Sequence, residues 1–196
     1  MQRIALNEYR AGSERNKVNE EIEIRFLDAA DAADYSRIRL EMLESEPEAF
    51  SSSDVEHRNL SAAEIERRIS LDPENKFVVG AFQNGRLLGA AGFLRNSGLK
   101  ERHKGFIWGV YVAPAARGKG VGKSLMRALL DRAIAIAGVE QILISVSTTQ
   151  KAAGCLYRAL GFQSWGCERR ALKVGEQYID EEYMALYIER DKSCGM

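Results

Sequence analysis

The chain has 196 residues, and its 28 Lys and Arg against 28 Asp and Glu give a formal net charge of zero. At 45% hydrophobic and 29% charged, with three Pro and no low-complexity tract, the composition indicates one domain with a sizeable core and excludes a disordered or collagen-like chain. A neutral chain is not a dedicated nucleic-acid binder, which is usually basic, and no apolar run is long enough to span a bilayer.

Residues 1–20 are polar and charged with weak periodicity, an extension to the domain expected at 21–190, and 191–196 form a tail. The start lacks the apolar core of a signal peptide. Cys155, Cys167 and Cys194 are widely separated, which suits neither a disulfide framework nor a zinc site and indicates the reducing cytoplasm.

The first strand is expected at Ile22 to Leu27, where Ile22, Ile24 and Phe26 alternate with Glu23 and Arg25. Asp28 to Glu44 reads as a helix capped by Asp28 or Asp31, with Tyr35, Ile38 and Met42 at helical spacing. A loop from Ser45 to Ser53 precedes a second helix near Ala62 to Ser70, where Ser61 and Glu64 match a capping box. Lys76 to Phe82 and Arg86 to Leu94 flank Asn84-Gly85, a hairpin turn signal. A strand from Gly105 to Val112, a helix from Val121 to Ala137 and an apolar strand from Gln141 to Ser147 follow. Gln150 to Leu160 reads as a helix stopped by Gly161, and strands near 162–174 and 177–188 complete the chain. The order βααβββαβαββ describes a mixed-sheet α/β domain, whose last strand is free in sequence terms to pair across a homodimer.

Five glycines fall between positions 105 and 122, ending in the run Arg117 to Ser124, RGKGVGKS, between a strand and a helix. That context aims the first helical amides and the helix dipole at a common point, where an anion is held. Gly118, Gly120 and Gly122 allow close backbone approach, and Arg117, Lys119 and Lys123 add charge. The bland alternative is a glycine-rich connection with a solvated basic flank. The P-loop pattern G-x-x-x-x-G-K-[ST] ends correctly at Gly122-Lys123-Ser124 but needs a glycine where Arg117 stands, and the dinucleotide pattern G-x-G-x-x-G fails at Lys123. The pattern [QR]-x-x-G-x-[GA] matches from Arg117 to Gly122. There the sequence resembles the GNAT family of acyl-CoA-dependent N-acetyltransferases.

A second element extends the resemblance. The family's N-x-x-A-x-x-L-Y-x-x-x-G-F is matched at Ala153, Leu156, Tyr157, Gly161 and Phe162, with Gln150 in place of the usual Asn. The likeness covers residues 22–189, and LEMLESEPEAF and YIDEEYMAL look like a subgroup of small family members whose substrates those motifs do not fix. It implies a fold, a co-substrate and roles. Acetyl-CoA would bind with its pantetheine arm on the backbone of Val110, Tyr111 and Val112, and with its pyrophosphate on the amides of Gly118, Lys119, Gly120, Val121, Gly122, Lys123 and Ser124 beside Arg117. Gln150 would reach the same cofactor. The sheet would splay between the strand ending at Val112 and ILISVS, admitting a primary amine that attacks directly in a ternary complex. An amide near Val110 would stabilise the carbonyl oxygen, and Tyr157 would protonate the leaving thiolate. No metal is implied.

The general base is open between His103, the group Glu41, Glu44 and Glu46, the group Asp180, Glu181 and Glu182, and a water chain. Cys155 is expected to be a small packed side chain, and Trp108 and Trp165 to line the cleft or fill core. From Ala115 to Arg132 there are five basic residues and one acidic; from Glu41 to Glu48 there are four acids and no base. If the acidic run borders the acceptor, cationic amines are favoured over acidic ones. The rival functions are a non-catalytic acyl-CoA sensor and a P-loop nucleotidase; the acceptor itself is not legible.

Overall fold

A computed structural model describes residues 22–189; the amino-terminal extension and the tail lie outside the described residues. One seven-stranded sheet forms the frame. Its strands are β1 (Glu23–Phe26), β2 (Lys76–Gln83), β3 (Arg86–Arg95), β4 (Lys104–Val112), β5 (Gln141–Ser147), β6 (Gln163–Val174) and β7 (Gln177–Tyr187), in the spatial order β1-β2-β3-β4-β5-β7-β6. Only β4 and β5 run parallel; every other neighbouring pair is antiparallel.

Strand alternation sorts the core into two layers. Phe77, Val79 and Ala81 of β2 face α4 (Val121–Ala135), where Val121, Leu125 and Leu129 form the packing stripe. Val78 and Phe82 face the opposite side, against Tyr35, Ile38 and Met42 of α1 (Ala32–Ser45) and Ile65 and Ile69 of α3 (Ala62–Ile69). α5 (Lys151–Ala159) lies with α4, where Tyr157 and Phe162 join the first layer with ring centroids 6.1 Å apart.

The sequence-derived element order holds with one addition, the short helix α2 (Asp54–Arg58), between the expected loop and the expected second helix. Its cause is local. The Ser53 hydroxyl accepts from the Glu56 amide while Glu56 returns a bond to the Ser53 amide, a full capping box around a single turn. That turn buries His57, whose Nε2–H donates to the Ser36 carbonyl at 3.1 Å; burial lowers its pKa and keeps the ring neutral. The final strand is also placed differently from expectation. β7 pairs with β6 on one side and, from Glu181 to Tyr187, with β5 on the other, so that stretch has no free edge to offer a second copy. Among the described residues no helix is long and apolar enough to cross a membrane.

Candidate active site

The sheet opens in its middle. β4 and β5 pair only at Lys104 with Gln141, Gly105 with Ile142 and Phe106 with Leu143. Beyond Phe106, β4 stays with β3 and β5 with β7, so facing edges are left unpaired. A bulge increases the divergence. Between Ala90 and Gly92 of β3 the register shifts against β4, and Gly109 there adopts φ +61°. Trp108 can lie flat on β3 only because residue 92 is glycine: a methyl group there would stand 2.3 Å from the indole.

The resulting cleft has a volume of about 590 Å³. One wall carries Trp108 to Val112, the other Ser145 to Ser147; Gln150, just before α5, and Leu156 and Tyr157 of α5 complete the lining. At the far end lies the glycine loop. Gly118 (φ +74°) and Gly120 (φ +80°) are both left-handed, a conformation that costs other residues about 1–2 kcal/mol. A Cβ at either would meet nothing within 4 Å, so it is the backbone turn that requires glycine here. The first intrahelical bond of α4 is from the Ser124 amide to the Gly120 carbonyl, at 3.0 Å, which leaves the amides of Val121, Gly122 and Lys123 free for an anion.

Most of the residues singled out from sequence meet in this cleft: Val110, Tyr111, Val112, Arg117, Gly118, Gly120, Val121, Gly122, Gln150 and Tyr157 all line it. Lys119, Lys123 and Ser124 stand exposed on the loop and the first turn of α4, outside that lining. Gln150 is the residue before α5, and its side chain makes no capping bond to the helix. Arg117 is engaged elsewhere. Its Nε donates to the Val112 carbonyl at 2.7 Å, and its guanidinium pairs with Glu46 and lies 5.4 Å over the Tyr111 ring. Its charge therefore ties the loop to Glu46, the residue that follows α1.

Tyr157 is 4% exposed, and burial alone raises its phenol well above the ordinary value. It remains a proton donor throughout the neutral range. Tyr111, by contrast, is anchored, its hydroxyl donating to Glu41 at 3.1 Å with Ser45 Oγ 3.3 Å away.

The acids and bases separate clearly. His103 precedes β4 at the closed end of the sheet, where its carbonyl accepts from the Glu140 amide at 2.7 Å. Strand rise puts it roughly 20 Å from Gly109, too far to serve as a base there. Glu41 lies 3.6 Å from Arg37, Glu44 pairs with Arg58, and Glu46 with Arg117. Of the acidic run only Glu46 lines the cleft, so the expected acidic border does not form. Asp180 accepts the Arg170 amide at 2.8 Å and Glu182 pairs with Arg158. Glu181 alone of its group lines the cleft. Burial first, then the charge of Glu168, raises its pKa, and a hydrogen bond with Ser145 opposes the shift.

Two smaller expectations are corrected. Cys155 is exposed on α5, not packed, because its neighbours Gly154 and Tyr157 take the buried face. Trp165 is 59% exposed and leans on Tyr183 at 5.4 Å, away from the cleft that Trp108 lines. Arg39, Phe50 and Arg68 also line the cleft, though none was among the residues expected there. Arg39 left a signal: it falls four residues after Tyr35, on the apolar stripe of α1.

A splayed parallel strand pair thus leads to a glycine-built helix start within one mixed α/β sheet. The chain belongs to the acetyltransferase (GNAT) family, whose profile matches residues 37–162. It is 39% identical to the N-alpha-acetyltransferase RimI of Mycobacterium tuberculosis over 102 residues, which are 52% of this chain and 61% of that protein. It thus spans about three-fifths of that relative's length. Among solved structures, an acetyltransferase of the GNAT family from Streptococcus pneumoniae superimposes with a TM-score of 0.76 at 24% identity, covering 86% of this chain and 100% of that one. The structure of yncA from Salmonella typhimurium with its cofactor acetyl-CoA gives 0.74 at 24% identity, covering 89% and 98%.

Proposed function

We propose that this protein transfers an acetyl group from acetyl-CoA to a primary amine by direct attack in a ternary complex. The observation that carries this reading is the convergence of three features on one cleft: the unpaired edge of β4, the free amides of the glycine loop, and the buried phenol of Tyr157. An extended pantetheine arm needs a strand edge to pair with, and the Val110 to Val112 backbone supplies one. A pyrophosphate needs amides at a helix start, and Val121, Gly122 and Lys123 supply them. Acetyl-CoA, when bound, supplies an acyl group activated as a thioester.

The chain's own residues do the rest. The Val110 amide, turned by the Gly109 bulge, donates toward the acyl oxygen as negative charge collects there. Glu181 takes the proton that the attacking nitrogen loses. Tyr157 donates its proton to the departing sulfur, and solvent returns it by way of Glu181. The sum is one amine and one thioester converted to one amide and one thiol, with no acyl-enzyme. CoA thiol released only in the presence of an amine is the expected signature; tight magnesium-dependent ATP binding in place of acetyl-CoA binding would instead favour a nucleotidase.

The bulge gives a separable prediction. Gly109→Ala puts a side chain at φ +61° and a methyl 3.1 Å from Arg39 Nη1, whereas Gly175→Ala at φ +58° meets nothing within 4 Å. Both variants are expected to lose about 1–2 kcal/mol of stability in denaturant melts. Only Gly109→Ala should also lose turnover, by roughly tenfold or more, through the displaced amide. Equal turnover in the two variants would remove the bulge from the mechanism.

A further inference from the structure

Arg39 is a positive charge built into the buried face of a helix. With Tyr35, Ile38 and Met42 it faces inward from α1 and is only 4% exposed. A guanidinium does not deprotonate in proteins, so the charge persists. Its surroundings do little to balance it. Nη1 donates to the Met42 sulfur at 3.2 Å, the Phe50 ring centroid lies 5.5 Å from Cζ, and Nε has no hydrogen-bond partner among the described residues. The Tyr35 hydroxyl, close enough to couple with Arg39, is likewise buried without a partner.

A second guanidinium adds to the imbalance. Arg68 of α3 lies 5.8 Å over the Trp108 ring and near enough to Arg39 to repel it. No carboxylate among the described residues pairs with either. Two adjacent cations left unpaired beneath an open cleft form a site for an anion that arrives with a ligand.

We propose that Arg39 and Arg68 bind the carboxylate of the acceptor, so that the amine substrate is a small molecule of the amino-acid type. This rests on the acetyl-transfer reading and names the substrate class of the same cleft. Position supports it. Both arginines line the cleft, and a methyl built on Gly109 would stand 3.1 Å from Arg39 Nη1. A carboxylate held there lies beside the bulge that presents the Val110 amide, so few bonds separate it from the reacting nitrogen. The coenzyme phosphates do not compete for the place, because the amides that suit them lie past Val112 and the Pro114–Ala116 turn. Charge supports it too. Glu46 is taken by Arg117, which leaves Glu181 as the cleft acid that faces an ammonium while the arginines face a carboxylate. The lining thus matches a zwitterion.

The test uses amines in matched sets: free amino acids, their carboxamides, short peptides carrying the same amino terminus, and aminoalkylphosphonates. Binding is read by calorimetry and transfer by CoA thiol release, with the wild-type protein, Arg39→Met and Arg68→Met. Arg68 is only half-buried, so its variant guards against an Arg39 variant that fails to fold. Free amino acids are expected to bind at least about tenfold more tightly than their carboxamides and to be acetylated with a correspondingly higher kcat/KM. Each variant should erase most of that discrimination. Thiol release with acids, amides and peptide amino termini used equally overturns the carboxylate site and leaves acetyl transfer standing. Carboxylate binding that needs both arginines, without thiol release from any amine, keeps the site and overturns acetyl transfer. Failure of both readouts overturns both, and a tenfold preference for phosphonates overturns the carboxylate assignment.

Discussion

Replacing Tyr157 by Phe is expected to lower kcat by roughly 10²-fold or more while acetyl-CoA affinity stays within about twofold, as the loss of a positioned general acid requires. The ring packs beside Phe162 in the layer under α4 and α5, and phenylalanine fills the same space. What is lost is a hydroxyl whose pKa burial alone raises. A phenol raised in this way stays fully protonated at neutral pH. Activity should therefore fall while the melting temperature stays close to that of the wild-type protein, because the ring packing is kept. If Tyr157 were only a packing aromatic, kcat would be unchanged. A variant that loses both acetyl-CoA affinity and stability would show that the hydroxyl serves binding and packing, not proton donation.

The second large effect is expected at Glu181. Glu181→Gln should lower kcat/KM by roughly 10²-fold at neutral pH. The pH profile separates a base from a structural residue. The carboxylate must be ionised to accept a proton, and burial together with Glu168 raises its pKa. Wild-type activity should therefore fall as the pH drops through a limb lying above the ordinary glutamate value of about 4.3. The variant has no such group, and that limb should vanish. Removing the neighbouring charge with Glu168→Gln should move the limb to lower pH, since the repulsion that raises the pKa is gone. An acid limb that persists unchanged in Glu181→Gln would return the role of base to a water chain. Glu168 accepts a hydrogen bond from the Tyr183 hydroxyl, so the two acids and the phenol form a small connected group on β6 and β7.

What could be read from sequence is what local chemistry encodes. The glycine loop was legible because left-handed backbone at positions 118 and 120 demands glycine, and because a helix start exposes amides whatever surrounds it. Tyr157 was legible through the spacing of α5, which repeats a family pattern within thirteen residues. The opening of the sheet was legible only by resemblance; its physical cause, the bulge at Gly109 and the short β4–β5 ladder, depends on three strands meeting.

The charges were the harder part. Four acids within eight residues look like one patch, but successive helical residues turn by about 100°, which scatters them. Glu41 therefore reaches Arg37 and Tyr111, Glu44 reaches Arg58, and Glu46 crosses to Arg117 from another part of the chain. The partners at Arg58 and Arg117 are not deducible from spacing. Glu181 stood out from Asp180 and Glu182 only once β7 had a neighbour on each side, because alternation along the strand then fixed which carboxylate faced the cleft. Arg39 shows the opposite case, a charge on an apolar stripe whose periodicity was readable but whose lack of a partner was not.

The most direct measurement is CoA thiol release from acetyl-CoA, followed with and without a panel of primary amines that includes free amino acids, with the product identified by mass. Direct transfer predicts negligible release without amine, release in step with amine once it is added, and a product heavier than the amine by one acetyl group. Acetyl-CoA that binds in the cleft but yields no thiol with any amine would contradict it.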